Sequence, residues 1–343
     1  MKISIDRGVL LKALNHVQSV VERRNTIPIL SNVKIDADEK GISLIATDLD
    51  LEIIEKVEAT VSQVGSTTVS AHILYDIVRK IPEGSSIEIE QNQDDQMELK
   101  SGQSNFDLPC LPDEDFPEMS SGEMPCNFTM NSSDITRLID KTKFAISTEE
   151  TRYYLNGIFL HSINNELRSV ATDGHRLACI KSDWPSGAEE MPSIIIPRKT
   201  VGEIRKLIED SSDNLTIKVS DTKIQFILKD VQLTSKLIDG TFPDYERVIP
   251  KNNDKELSIE TKIFSSSIDR VATISSDKSK AVKFLLKDGA LTLTVINPDA
   301  GTAVETTPVD YNYEELEIGF NARYLLDIAS QIDGPDMLFA LEG

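Results

Sequence analysis

Cysteine and histidine are scarce in this chain, with three and four copies in 343 residues. The cysteines (Cys110, Cys126, Cys179) are odd in number, widely spaced and never arranged as C-x-x-C. That argues against a disulfide framework or a zinc knuckle and suits a reducing cytoplasm. The histidines (His16, His72, His161, His175) form neither H-E-x-x-H nor a helical i, i+4 pair, so no metal site is expected. There is no G-x-x-x-x-G-K-[ST] phosphate loop, no G-x-G-x-x-G and no G-x-S-x-G, so no cofactor and no activated nucleophile are expected. No apolar run approaches the length of a membrane span. The opening Lys2-Ile3-Ser4-Ile5-Asp6 alternates like a strand and lacks the apolar core of a signal peptide. Positive charge is also in deficit. The net charge of -21 argues against simple adhesion to nucleic acid or to an anionic membrane.

What is present is an ordinary globular balance, 39% hydrophobic and 27% charged. The length exceeds what one core organises, so two or three domains are expected. Six segments carry a helical apolar period: 7–24 (Leu10, Leu14, Val17, Val21), 72–80 (Ile73, Ile77) and 133–143 (Ile135, Leu138, Ile139) in the first half. The others are 198–210 (Val201, Ile204, Leu207, Ile208), 261–272 (Phe264, Ile268, Val271) and 321–331 (Tyr324, Leu325, Ile328). These windows hold 16 Lys or Arg against 9 Asp or Glu, a net +7, which leaves -28 for the rest. Taken alone, that contrast is explained as well by basic residues favouring helices while acids decorate strand loops.

The chain also repeats. Thr47-Asp48 closes the strand I-S-L-I-A-T-D, Thr172-Asp173 closes L-R-S-V-A-T-D, and Asn297-Pro298 closes L-T-L-T-V-I-N-P, at intervals of 125 residues. Phe116-Pro117 returns as Phe242-Pro243 after 126. The spacing gives three homologous modules, 1–124, 125–250 and 251–343, each large enough for its own core. Within a module the order is strand, helix, three strands, then the same again. The expected fold class is α+β with antiparallel sheets.

Segments spread over the whole chain resemble the beta subunit of bacterial DNA polymerase III, the replicative sliding clamp. They are I-P-I-L-S-N (27–32), R-Y-Y-L-N-G (152–157), V-A-T-D-G-H-R-L-A (170–178), I-P-R-K (196–199), S-K-L-I-D-G-T-F-P-D-Y (235–245) and E-I-G-F-N (317–321). The resemblance implies a non-catalytic processivity factor, a head-to-tail homodimer closing a six-module ring around double-stranded DNA. Helices line its hole and sheets form its wall. Its implied partners are the polymerase III catalytic subunit, the clamp loader, and other polymerases and repair proteins bound through short peptides. Positive helices would then face phosphates while the acidic outside avoids holding DNA elsewhere.

The stretch A-T-D-G-H-R-L-A-C-I (171–180) sets Asp173, His175 and Arg176 around Gly174. An acid–base pair lacks a nucleophile motif here, and a plain turn with Asp173 capping and Gly174 at positive φ accounts for Thr-Asp, which module one shares. The resemblance instead places Thr172, Gly174, His175, Arg176 and Leu177 in a peptide-binding pocket, with Pro243, Arg247 and Val248 across from them. It places Arg24, His72, Arg79, Arg152, Tyr153, Tyr154, Arg198 and Lys199 near DNA. From the residues alone, Arg24 is a helix-terminal cation, and Arg152-Tyr153-Tyr154 is either a strand start with buried tyrosines or an arginine and two aromatics suited to stacking and phosphate contact. Arg198-Lys199 opens a helix, where cations do not help the helix itself. His72 stands where the family has a larger cation, and Glu149-Glu150 brings acid beside Arg152; both should weaken DNA contacts. Phe106 and Leu108 alternate out of a polar strand and, by the resemblance, meet Thr273 and Ile274 of a second copy. Module three reaches Met337-Leu338-Phe339-Ala340-Leu341, the counterpart of 215–220, and stops. By repeat bookkeeping its last two strands are missing, and a natural polypeptide longer by about 25 residues is expected.

Overall fold

Strands and helices follow one another in the anticipated order, with one additional strand (Thr60–Gln63) in the first repeat, in the computed structural model, which describes residues 1–23, 25–91, 96–120, 122–209, 213–275 and 280–342. The first repeat runs β1 (Lys2–Asp6), α1 (Arg7–Val17), β2 (Asn32–Asp38), β3 (Gly41–Thr47), β4 (Leu51–Val57) and β5 (Thr60–Gln63). It continues with β6 (Gly65–Ser70), α2 (Ala71–Lys80), β7 (Ser86–Gln91), β8 (Gln96–Ser101) and β9 (Ser104–Leu111). The second comprises β10 (Cys126–Asn131), α3 (Ser132–Asp140), β11 (Gly157–Ile163), β12 (Glu166–Thr172), β13 (Leu177–Asp183), β14 (Ile194–Pro197), α4 (Arg198–Glu209), β15 (Asn214–Val219), β16 (Lys223–Leu228) and β17 (Val231–Lys236). The third has β18 (Lys255–Glu260), α5 (Thr261–Ala272), β19 (Ala281–Lys287), β20 (Ala290–Asn297), β21 (Gly301–Pro308), β22 (Leu316–Asn321), α6 (Ala322–Ala329) and β23 (Asp336–Leu341).

Every helix springs directly from a strand, and two starts have side-chain caps. Asp6 accepts from the Gly8 and Val9 amides at 2.8 and 3.1 Å, and Asn321 accepts from Arg323 at 2.9 Å. Two helices stop earlier than their apolar period suggests. The Ser19 hydroxyl takes the His16 carbonyl at 2.7 Å and the Thr142 hydroxyl takes that of Leu138 at 2.6 Å, supplying the helix ends with partners outside the helical ladder. The first helix therefore ends at Val17 rather than 24, although Val20 and Val21 stay buried on the turn that follows. In α2 the expected stripe is displaced. Ala71, Leu74 and Val78 are buried, whereas Ile73 is 51% exposed, because α2 lies beside α1 with its other side on β2 and β6.

The chain divides into two compact units, Met1–Thr241 and Phe242–Gly343. In the first, thirteen strands form one antiparallel sheet in the order β10-β15-β16-β17-β4-β3-β2-β6-β9-β8-β7-β1-β5. Its middle is a joint between repeats: β17 pairs with β4, Val231 opposite Glu55 through Ser235 opposite Leu51. Repeats one and two thus share a sheet and one continuous apolar core. A four-stranded sheet, β13-β12-β11-β14, completes this unit. The second unit holds a four-stranded sheet, β21-β20-β19-β22, the β18-β23 pair, and a core built on Phe264 and Phe284, ring centroids 6.0 Å apart.

Candidate functional site

The 172–177 loop is built as the turn that Thr-Asp specifies. Asp173 Oδ1 accepts from the His175 and Arg176 amides at 2.9 and 3.0 Å, and Thr172 Oγ1 accepts from the Gly174 amide at 3.1 Å. Repeat one builds the same turn: Asp48 Oδ1 accepts from Asp50 and Leu51, and Thr47 Oγ1 from Leu49. Leu49 and Gly174 both sit at positive φ, +79° and +87°. Glycine is needed only in the second turn, where an added Cβ would lie 2.4 Å from Arg152 Nη1.

What differs between the turns is their use. In repeat two, Arg176 folds back: its Nε donates to Asp173 Oδ2 at 3.0 Å, its Nη2 donates to the Phe144 carbonyl at 2.5 Å, and the guanidinium covers the Phe144 ring at 5.3 Å. The Asp173 carboxylate is thereby committed to two backbone amides and one guanidinium. His175 is left exposed, with Leu177 half-buried at the start of β13. In repeat one the turn anchors the joint. Lys199 Nζ donates to Asp48 and to the Val20 carbonyl, and Lys236 pairs with Asp50 at 2.9 Å. Residues 47–51 were not singled out from sequence as a contact, although their repetition of Thr-Asp was the available signal.

The proposed DNA contacts separate into two kinds. Arg79 and Arg198 are exposed, and Arg79 also meets Asp76 at 3.1 Å. Tyr153 is 55% exposed on a 3-10 turn, Glu150–Leu155, and lines a cleft of about 620 Å³ with Asn156, Arg198 and Lys199. The reading of a strand start with buried tyrosines is thus corrected, since the 3-10 turn leaves Tyr153 outside and Tyr154 half-buried. Other residues are engaged within the chain. Arg152 pairs with Glu149 at 2.8 Å and donates to the Asp173 carbonyl at 3.3 Å. His72 reaches Gln18 Oε1 at 3.0 Å and the Val21 carbonyl at 3.2 Å, fixing the segment after α1. Arg24 lies outside the described residues, and with the helix ending at Val17 it does not terminate α1.

The residues expected at an interface between copies are less exposed than their sequence suggested. Leu108 is 8% exposed and Phe106 is partly buried, both against the core of the first unit, because β9 packs that face over its own repeat. In the second unit Thr273 caps α5 and is exposed, while Ile274 packs on the core and its carbonyl accepts from Asn297 at 2.7 Å. Pro243, Arg247 and Val248 belong to this unit. All three are exposed, and Arg247 meets Asp244 at 2.6 Å.

One carboxylate missed from sequence lies at the joint. Glu52, on the outer face of β4, is 4% exposed and accepts from the Met119 amide at 2.9 Å. Burial pushes its pKa above the usual value, against the opposing pull of that hydrogen bond. Among the described residues no group of three or more His, Cys, Asp or Glu is arranged to hold a metal ion, and no helix is long and apolar enough to cross a membrane.

Comparison with known proteins matches residues 1–120, 129–244 and 246–343 to the N-terminal, central and C-terminal domains of the DNA polymerase III beta subunit. The chain is 51% identical to the beta sliding clamp of Caulobacter vibrioides over 344 residues, covering 99% of this chain and 92% of the relative. It is 37% identical to that of Escherichia coli over 335 residues, covering 97% and 90%. Among solved structures it is similar to a DnaN sliding clamp from Bartonella birtlesii bound to griselimycin, at 51% identity and a TM-score of 0.97, covering 99% of this chain and 92% of that one. The DNA polymerase III beta subunit from Pseudomonas aeruginosa gives 37% identity and a TM-score of 0.95, covering 99% and 93%.

Proposed function

This chain belongs to the DNA polymerase III beta-subunit family and acts as a processivity clamp, and we propose that two copies of it close head to tail around duplex DNA. The observation that carries this reading is the β17–β4 joint. The repeat supplies the same two edges again: β9 corresponds to β17 and β21 to β4. Over Ser104–Pro109, β9 pairs only with β8, and β21 pairs only with β20 among the described residues. An open pair of matching edges is an invitation to a second copy.

The observed joint sets the register. The hairpins β8–β9 and β16–β17 both turn through a left-handed residue, Gly102 at +58° and Lys229 at +50°, which equates Ser104 with Val231. Glu55 lies opposite Leu44, and Glu305 lies opposite Leu293 in the matching hairpin. Ser104 of one copy then falls opposite Glu305 of the other, and Asp107 opposite Thr302. Val304, which is 61% exposed on β21, is covered in that arrangement. The interface is thus chiefly a strand pairing, with Phe106, Leu108, Thr273 and Ile274 at its sides.

Each helix offers an exposed cation to a threaded duplex: Lys12, Arg79, Arg137, Lys206, Lys262 and Arg323. Sequence-independent retention asks no more of them than weak phosphate contact. Arg198 and Tyr153 are the stronger individual contacts; Lys199, His72 and Arg152 hold the surface in place. The His175–Leu177 loop receives short peptides of polymerases, clamp loader and repair proteins; Pro243, Arg247 and Val248, exposed on the second unit, are assigned to the same role by the resemblance alone. A non-catalytic role fits Asp173, whose carboxylate is fully engaged in its own turn. The modules divide near 124 and 250, and three widely spaced cysteines suit the cytoplasm.

The test is cysteine pairing across the proposed joint. Residues directly opposite in an antiparallel pair approach closely enough for a disulfide. Asp107→Cys with Thr302→Cys in one chain should yield a covalently closed dimer on mild oxidation, and neither single variant should. Equal cross-linking by the out-of-register pair Asp107→Cys and Glu305→Cys would sink the register.

A further inference from the structure

Beneath the β17–β4 joint lies an imidazole–carboxylate pair. His16, in the last turn of α1, brings Nδ1 to 2.8 Å from Glu55 Oε2 on β4, and both side chains are 10% exposed. Leu207, Leu228 and Val231 of the second repeat share a cleft of about 600 Å³ with this pair, so the joining repeat covers the carboxylate. An ionised carboxylate loses hydration on being covered and needs a partner in return.

The repeat shows that the fold does not demand a carboxylate there. In repeat two the corresponding residue is Ile180, opposite Ser169 as Glu55 is opposite Leu44. In repeat three it is Glu305, and its partner again comes from the first helix. The buried residues Leu10, Ala13, Leu14 and Val17 of α1 align with Phe264, Ser267, Ile268 and Val271 of α5, which sets Arg270 where α1 has His16. Arg270 grips Glu305 in a fork, Nε to Oε2 at 2.9 Å and Nη2 to Oε1 at 2.5 Å. The guanidinium holds the carboxyl below its usual range. Unlike its counterpart, this pair is open: the Arg270 side chain is 60% exposed and that of Glu305 is 24% exposed.

We propose that Arg270 is a positioning residue for the joint between two copies, pre-pairing Glu305 so that the second copy's β8–β9 hairpin can cover it. The inference rests on the two-copy reading above and adds the residue that makes this edge fit to be buried. The occupant is fixed by the repeat, because the strand that covers the Glu55 pair in the first unit is β17, whose counterpart is β9. Where repeat one uses an imidazole, the joint between copies uses a guanidinium, whose planar fork matches a carboxylate.

Dilution-series sedimentation of the full chain reads the dimer dissociation constant. Arg270→Gln strands Glu305 under the partner and should raise that constant at least about tenfold, with the melting temperature of the dilute monomer unchanged. Adding Glu305→Gln removes the stranded charge and should bring it back to within about threefold of the parent. Glu305→Gln alone leaves a guanidinium that reaches solvent and should also stay within about threefold, which keeps the test decisive if Arg270→Gln folds poorly. A dimeric parent whose constant is indifferent to Arg270→Gln, a double variant as weak as the single, or a large loss from Glu305→Gln alone would overturn this inference only. A parent that stays monomeric at every concentration would overturn the two-copy reading and this inference with it.

Discussion

Glu52 carries its charge at a cost that the joint imposes. Its pKa is raised in the folded chain, chiefly by burial, so the ionised form is penalised at any pH above the folded value. The penalty fades as pH falls through that value toward the unfolded one, where both states bind the proton. Glu52→Gln keeps an oxygen for the Met119 amide and removes the charge. Its melting temperature should rise by about 2–4 °C at pH 7.5, the shift expected for about 1 kcal/mol in a unit of this size. The gain should vanish near pH 4, and a destabilised variant at pH 7.5 would show that the carboxylate is held by more than it loses. A second residue test concerns Leu177, half-buried beside the exposed His175. Leu177→Ala should weaken binding of a short polymerase-tail peptide by on the order of 1–3 kcal/mol without altering the thermal melt. Equal calorimetric affinity would reduce the loop to a turn.

Among the elements, the joint between repeats one and two is held by contacts far apart in sequence. Lys199, the second residue of α4, reaches Asp48 and the Val20 carbonyl. Lys199→Ala should speed amide exchange at residues 18–22 and 47–51 while leaving the third repeat unchanged; uniform exchange across both segments and the rest of the chain would deny it that role. Such contacts were not legible in the sequence. Periodicity identifies a helix at 198–210 because Val201, Ile204, Leu207 and Ile208 recur on one face, but it says nothing about what a lysine on the other face touches. Element order was legible because strand and helix periods alternate so regularly. Ends were less so: α1 stops at Val17 because a serine hydroxyl takes a helix carbonyl, and the apolar residues beyond it continue to pack without continuing the helix. The 172–177 turn was legible down to the sign of φ at Gly174, since Thr-Asp-Gly encodes it locally. The burial of Leu108 was not legible, since alternation alone does not say how far each face of an edge strand is covered.

At the scale of the whole molecule, the acidic balance and the basic helices have one explanation in common. On the proposed two-copy reading, a ring that holds DNA by enclosure needs little affinity, and net negative charge would keep its outer surface from competing for the same phosphates. The measurement that tests this most directly is retention on DNA after loading by a clamp loader, compared between nicked circular and linear duplex of the same length. The account predicts long-lived retention on the circle that persists in raised salt, and release as soon as the circle is cut. Equal retention on circular and linear DNA, or loss from both as salt rises, would mean that charge rather than enclosure holds this protein to its duplex.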